Sequence, residues 1–518
     1  MRALPCSAGL AVAVLALTAA TARGQSGAPG GGGGSRPAAR STPTAARAAS
    51  GPLRHTTPTG TDSLASDLAE LMNARVRNGT WGAMVVSLTR GDTLFAENAG
   101  GSLVPASTLK LFTTALAFER LGANHRFSTN VFRTGEVDPA GTLHGDLVLR
   151  GGGDPSLSRR FFEGDANAPM RSLARQVASA GIRRVRGNIV GDDGAFEAKP
   201  VPDGWLTRYL HASYAAPVSA LSLNENLLYV VVTPGRAGAA GTVRLEPAAD
   251  GAYRIANATS TRAGTRSSRL TVALAAQGVI NVRGWIGATS EPRVYVVVVN
   301  DPSSFATNAF ARALAEAGVA VEGEVRLSGT PEGALPVASL PSPPLWELAN
   351  VMNRESVNHF AELIFRNVGR LGDPSGVGSA EMANALLRDF LLLRVGADPG
   401  DVFAADGSGL STLDRVTPRA MVQLLSFAHG APWSREFHES LPIAGRQETL
   451  RLRMRGTPAH GNLHAKTGTT NEVVGLSGYV ASRDGEVLAF AFLYNGRDRF
   501  NARASIDAMG ATLAAFAR

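Results

Sequence analysis

Lysine is nearly missing from this chain: its 51 basic residues include only Lys110, Lys199 and Lys466. A position that keeps an ammonium where guanidinium is the rule asks for a chemical reason, because lysine can give up its proton and arginine cannot. Cysteine is scarcer still. The single cysteine, Cys6, lies so near the start that the rest of the chain has no thiol for a disulfide, a metal site or a nucleophile. Long apolar runs are lacking too. Residues 9–20, within MRALPCSAGLAVAVLALTAATARG, are too few to span a bilayer comfortably. With Arg2 ahead and small residues behind, residues 1–24 read as a secretory signal, the alternative being an uncleaved anchor. An exported protein of the periplasm or cell envelope is expected.

The net charge is +8, yet no zinc finger, helix-turn-helix or aromatic RNA-binding signature accompanies it, so nucleic acid is not an expected partner. The anionic surfaces of a cell envelope are natural neighbours, through peripheral membrane or cell-wall association; plain solubility explains the charge equally well. RGGGDP and GGGGS lack the strand-to-helix setting and terminal Gly-Lys of a phosphate loop. His460 and His464 are spaced for a helical metal site, but PAHGNLHAK contains Pro458 and Gly461 and runs into a strand. Neither a cofactor nor a metal is expected.

What is present divides the chain. Residues 25–60, rich in Gly, Pro, Ser and Ala, read as a flexible tether. Order is expected from TDSLASDLAELMNAR, where Thr61 or Asp62 can cap a helix. Two strands follow around Arg90-Gly91-Asp92, then a helix from Ser107 to Gly122. Between about 138 and 335 the texture changes to two copies of strand, Asp-Pro-Ser turn, helix, Ala-Gly, strand. A β-rich stretch separates them. After PSPPLWE, helical patterns resume, and the chain closes with about three strands and a final helix. The expected fold class is α/β (α+β): one antiparallel sheet flanked by helices, formed by residues 61–137 and 336–518. Residues 138–204 and 293–335 form an inserted α/β domain, and 205–292 a nested β-rich domain within it.

The chemistry starts at PASTLK. Ser107 and Lys110, three apart at a helix start, share one face, and the helix N-terminus favours developing negative charge. A serine needs a base to take its proton, and a lysine whose pKa is lowered can be that base. In HAKTGTTNE, Lys466 and Gly468 point to one side of an edge strand and Thr467 to the other. Gly468 would leave the surface open to a ligand's backbone. Lys466, Thr467 and Thr469 could hold a carboxylate, and the Thr469 N–H could donate to an oxyanion. Between them, NRESVNHFAELIF supplies Ser356-Val357-Asn358 on a helical stretch. Ser-x-x-Lys, Ser-Asp-Asn and Lys-Thr-Gly in that order form the trio of the β-lactamases and penicillin-binding proteins, and Ser356-Val357-Asn358 takes the middle place. A second Ser-x-Asn, Ser222-Leu223-Asn224, falls in the inserted β-rich part and is set aside.

With RGGGDPSL, GNIVGDDGAF, FAADGSGLS and LPIAGRQETL beside the trio, nearly everything after residue 62 resembles the serine D-Ala-D-Ala carboxypeptidase/endopeptidases of the penicillin-binding protein 4 type. The resemblance implies a transpeptidase-like catalytic domain, peptidoglycan stem peptides and cross-links as substrates, and β-lactams as covalent inhibitors. It implies Ser107 as nucleophile, Lys110 as base, Ser356 and Asn358 as proton and amide partners, and Lys466, Thr467, Gly468 and Thr469 around the substrate carboxylate. Asp192 best matches an inserted-domain aspartate that reads the stem's diamino acid. Val357 stands where the family commonly has Asp. The alternatives are a β-lactamase and a non-catalytic peptidoglycan-binding envelope protein. Of the residues outside the trio, DGSGLS reads as a structural turn near the site, His359 as a partly exposed helix residue, His464 as a packing or surface residue that shares a face with Lys466, and Lys199 as an exposed linker residue.

Overall fold

A computed structural model describes residues 53–249 and 252–518. The expected secretory signal and most of the tether lie outside these residues. Order begins earlier than the tether reading implies. The Thr56 N–H donates to Thr512 Oγ1 at 3.0 Å and the Gly60 N–H to the Ala517 carbonyl at 2.9 Å, so residues just before the first helix lie on the last one. That first helix, Thr61–Asn73, is capped by Gly60 without a side-chain bond. Thr61 is therefore inside the helix, not its cap.

The frame sheet has the order His464–Thr469, Val473–Ala481, Val487–Asn495, Thr80–Ser87, Thr93–Glu97, all antiparallel. The first and last segments of the frame thus meet in one sheet, as the sequence predicts. VLAFAFLYN reads as a continuous apolar run because its strand is covered on both faces. Ala489, Ala491 and Leu493 join the core under the helices Lys110–Leu121 and Pro418–Gly430, whereas Phe490, Phe492 and Tyr494 join the core under Thr61–Asn73 and Arg499–Ala515. Each fully buried phenylalanine there contributes roughly 2–3 kcal/mol of transfer free energy.

A second five-stranded sheet has the order Val325–Leu327, Ile189–Asp192, Leu147–Arg150, Ser128–Arg133, Leu335–Pro341. Its last two strands come from the frame side of the expected boundaries; they pair with each other and bring the chain into and out of the insertion. The two repeat helices, Ala168–Ser179 and Pro302–Glu316, pack together, and Ile189–Asp192 runs parallel to Val325–Leu327. The repeat is incomplete, however. Arg293–Val298, the opening strand of the second copy, pairs with Leu227–Thr233 of the β-rich stretch instead. A further three-stranded sheet, Arg254–Arg262, Val279–Gly287 and Ser268–Leu274, completes that stretch.

Candidate active site

Ser107 sits on a 3-10 turn, Ala106–Leu109, which runs into the helix Lys110–Leu121. The turn is held from three sides. Thr108 Oγ1 donates to the Pro105 carbonyl at 2.8 Å, Ala106 adopts a positive φ of 47°, and two glycines close on it. A Cβ at Gly409 would lie 1.9 Å from the Ala106 carbonyl, and one at Gly468 would lie 2.6 Å from the Pro105 carbonyl. Gly468 therefore makes room for the turn that carries Ser107, not for a ligand backbone as its place on the edge strand suggests. A left-handed alanine costs of order 1–3 kcal/mol and persists only where its surroundings over-determine it.

Lys110 is fully buried, and its Nζ lies 3.0 Å from Ser107 Oγ, 2.7 Å from Asn358 Oδ1 and 2.6 Å from the Ser408 carbonyl. Two of these partners can only accept. A neutral amine has two N–H donors and one lone pair, so spending the donors on Asn358 and Ser408 leaves the lone pair facing the Ser107 hydroxyl. Burial lowers the Lys110 pKa to about 8, against the opposing pull of the nearby Asp406 carboxylate. About a tenth of it is then neutral at pH 7, a poised base.

Lys466 is also fully buried, on the edge strand as expected, with Nζ 2.9 Å from Ser356 Oγ and 2.8 Å from the Thr467 carbonyl. Burial and the nearby charge of Lys110 hold its pKa well below the usual lysine range. Ser356 has a positive φ of 61°, a strained turn between two helices that delivers its hydroxyl to Lys466. Asn358 opens the helix Asn358–Gly369 and donates through Nδ2 to the Tyr214 carbonyl at 2.8 Å. Val357 has its neighbours in the helical core, so an apolar middle residue is packed, not stranded. Thr467 is nearly buried, and Thr469, exposed, donates to the Gly468 carbonyl.

The loop read as a structural turn does more than turn. Asp406 is buried and accepts from the N–H groups of Ser408, Gly409 and Ser411 at 2.9, 2.6 and 2.7 Å, and from Trp205 Nε1 at 2.7 Å. That fan of bonds aims the Ser408 carbonyl at Lys110. Behind it, Glu362 and Asp414 are fully buried. Burial, with the charge of Asp406, raises Glu362 to about 8, so that it keeps its proton at neutral pH, and holds Asp414 well above the ordinary carboxyl range. Arg366, also buried, reaches the Lys199 carbonyl at 2.9 Å. The sequence signal for this cluster was a run of turn-forming residues, which carries no hint of a buried charge.

The remaining candidates part company with the trio. Asp192 is buried, and its carboxylate accepts from the N–H groups of Gly194 and Thr330 at 2.9 Å and from the Thr330 hydroxyl, with Arg150 Nε 3.6 Å away. Its oxygens serve the inserted sheet. Ser222 and Asn224 are likewise spent on local bonds, to the Ser219 and Leu227 carbonyls. His359 is buried, not partly exposed, and neither ring nitrogen has a hydrogen-bond partner among the described residues; burial lowers its pKa to about 3. His464 bonds the His438 backbone, and the His438 ring stacks on Tyr479 at 3.9 Å. Lys199 is exposed and pairs with Asp203 at 2.6 Å.

Residues 64–516 match the model of the D-Ala-D-Ala carboxypeptidase 3 (S13) family. A D-alanyl-D-alanine carboxypeptidase of Actinomadura sp. is 34% identical, over 84% of this chain and 81% of its own. The D-alanyl-D-alanine carboxypeptidase DacB of Haemophilus influenzae is 25% identical, over 80% of this chain and 85% of its own. The solved structure of penicillin-binding protein 4 (dacB) from Haemophilus influenzae superposes with a TM-score of 0.71 at 23% identity, covering 85% of this chain and 98% of that one. A second structure of that protein, complexed with a novel β-lactam, superposes at 0.65 with 22% identity over 85% and 97%.

Proposed function

The chain belongs to the D-Ala-D-Ala carboxypeptidase 3 (S13) family and is a serine-type D-Ala-D-Ala carboxypeptidase; on that premise we propose that Ser107 is its nucleophile and Lys110 its general base, acting on peptidoglycan stem peptides and, as an endopeptidase, on their cross-links. The observation that carries the assignment is the three-partner setting of Lys110, which fits a neutral amine with its lone pair on Ser107 Oγ.

In this reading Lys110 takes the hydroxyl proton as Ser107 Oγ attacks the carbonyl between the two D-alanines. The N–H groups of Ser107 and Thr469 receive the oxyanion, worth about 3–4 kcal/mol per donor in comparable holes. Lys466, Thr467 and Thr469 hold the terminal carboxylate, whose negative charge favours the charged form of the buried Lys466 amine. The amine leaves with a proton passed through Ser356, which Lys466 holds at 2.9 Å. Water then attacks the acyl-enzyme, with Lys110 again as base, and frees Ser107. A β-lactam carbonyl meets the same serine and acylates it, as befits a fold it shares with a protein solved with a β-lactam. The frame supplies the chemistry, and the insertion, whose sheet runs from Ser128 to Pro341, supplies part of the cleft wall.

The test is twofold. Incubation with a labelled penicillin followed by peptide mass analysis should place the label on the Ser107 peptide, and D-Ala should be released from a D-Ala-D-Ala-terminated stem peptide. A label elsewhere, or its persistence in Ser107→Ala, would sink the assignment. Fast penicillin turnover without D-Ala release would point to a β-lactamase. Digestion of purified peptidoglycan apportions terminal trimming and cross-link cleavage.

A further inference from the structure

Away from the cleft, where the chain passes from the frame into the insertion, lies a cavity of about 320 Å³. Three arginines from three different elements line it. Arg126 stands just after the helix Lys110–Leu121, Arg150 ends the strand Leu147–Arg150, and Arg370 caps the C-terminus of the helix Asn358–Gly369. Each of the two helices runs about 18 Å, and Lys110 and Asn358 stand at their opposite ends. The cavity is thus a helix length behind the reacting groups, and none of the residues assigned to the reaction lines it.

No acidic side chain lines it among the described residues. Arg126 donates to the Ser342 carbonyl at 2.6 Å. Arg370 donates through Nε to the Gly376 carbonyl at 3.0 Å, and its Nη1 lies 3.4 Å from Asn367 Oδ1. Neither has a carboxylate partner among the described residues. Arg150 has one at 3.6 Å, Asp192, whose oxygens already accept from Gly194 and Thr330. A guanidinium carries five N–H donors, so most donors of the three are unused. Burial and the neighbouring charge of Arg150 both hold the Arg370 pKa below the ordinary arginine range, so the two cations are near enough to oppose each other. Such a gathering is unfavourable until an anion sits among them.

The side chains are also held in place. Asn367, nearly buried, donates to the Gly153 and Leu363 carbonyls at 3.0 Å, which turns its Oδ1 to Arg370. A Cβ at Gly378 would lie 2.8 Å from Arg370 Cγ, so glycine there makes room for the arginine stem. Asn130, directly across from Arg150 in the paired strands, donates to Ser128 Oγ at 3.1 Å and leaves the Ser128 hydroxyl proton to a ligand. Phe127 and Phe132 add apolar surface beside the charges.

We propose that this cavity binds a small phosphate monoester, its phosphoryl group held by Arg126, Arg150 and Arg370 and its carbon part against Phe132. Guanidinium forks match phosphate oxygens in pairs, and a monoester brings nearly two negative charges at neutral pH, against one for a carboxylate or a diester. A volume at the lower end of ligand pockets suits a phosphoryl group with a short organic tail.

Calorimetric titration of the full chain near neutral pH and at low ionic strength, with thermal shift alongside, tests this. The probes are glycerol 3-phosphate, inorganic phosphate, dimethyl phosphate and acetate. Glycerol 3-phosphate should bind one to one with a Kd below about 1 mM, about tenfold or more tighter than dimethyl phosphate or acetate, and should weaken with added salt. Inorganic phosphate should bind about threefold more weakly than the ester. Arg126→Gln and Arg370→Gln should each weaken binding about tenfold or more, whereas Arg269→Gln, an exposed arginine of another sheet, should leave it unchanged. Arg126 is exposed, so its variant decides the matter if Arg370→Gln does not fold. Absence of glycerol 3-phosphate binding by both methods overturns the proposal, as does binding that survives Arg126→Gln. Inorganic phosphate binding as tightly as the ester, or a tighter diester, overturns the monoester assignment.

Discussion

On the floor of the cleft Lys110, Asp406 and Lys466 have no exposed surface, whereas on the inserted wall Tyr214 is about half exposed and Arg208 is open to solvent. The floor is crowded with bonds: Asp406 alone accepts four from the backbone and Trp205. The wall is tied down at its ends and bare between them. Burial makes a charge expensive and its pKa adjustable, which is what acid–base chemistry needs. Exposure makes a charge cheap and replaceable, and leaves it outside that chemistry. The floor therefore fixes the reaction, and the wall bears on it through its anchors rather than its charges.

The hardest break in that comparison is on the floor. Ser107→Ala should lower D-Ala release by about 10⁴-fold and abolish penicillin labelling, because the nucleophile is gone. Lys110→Arg should cost at least about 10²-fold although it keeps the positive charge, since a guanidinium does not take the serine proton. If Lys110→Arg retained near-normal kcat, charge alone would be the lysine's role. The pH profile sharpens the same point. Lys110 works when neutral, and its pKa is about 8, so kcat/KM should fall about tenfold per pH unit below that value and level off above it. Arg208→Ala, on the wall, should leave this limb where it is. A shifted limb in that variant would show that wall and floor are not electrostatically separate.

The two regions also differ in how much of them the sequence discloses. Ser107, Lys110, Ser356, Asn358 and Lys466 are legible because two of the chain's three lysines fall in motifs of fixed spacing and order, and the structure brings all five into two linked clusters. The frame sheet is legible too: VLAFAFLYN, an unbroken apolar run after the Arg483-Asp484-Gly485 turn, reads as a strand, and an apolar run of that kind fits a strand covered on both faces. Asp406 is missed because a carboxylate wrapped by its own loop looks like any Asp-Gly-Ser turn until the loop is seen to be buried. The wall is missed for the opposite reason: Arg208 is one arginine among dozens and has no local signature, and the place of its loop comes entirely from the bonds of Trp205 and Tyr214 to distant residues. Asp192 shows the same limit, since a motif match cannot reveal that Thr330, far along the chain, already occupies its oxygens.

A smaller effect is expected at the seam. Trp205→Phe removes the indole donor from Asp406 while keeping a large aromatic side chain. Losing one hydrogen bond to a buried carboxylate should cost about 1.5–3 kcal/mol, seen as a lower Tm. With the wall loosened, KM should rise several-fold and kcat change less. A kcat loss as large as the KM change would mean that the seam also sets the aim of the Ser408 carbonyl at Lys110.

The smallest effect concerns His359, a buried floor-side residue whose ring makes no hydrogen bond among the described residues. Both its ring nitrogens lie buried without a partner among the described residues, so His359→Leu, of similar bulk, should be neutral or stabilising by about 1 kcal/mol at pH 7. Acid separates the two proteins further. The folded-state pKa of His359 is about 3, below its ordinary 6.5, so between these values the unfolded chain binds the extra proton. Wild-type stability should then fall by about 1.4 kcal/mol per pH unit as pH drops below 6.5, a loss His359→Leu would not share. Glu362 bends the curve the other way. Its pKa is raised from 4.5 to about 8, so its contribution is lost as pH rises through that window, equally in both proteins. The difference between the denaturant midpoints of wild type and variant, followed from pH 7 to pH 5, isolates the histidine. A difference that stays constant with pH would mean that His359 is protonated and partnered in the folded protein.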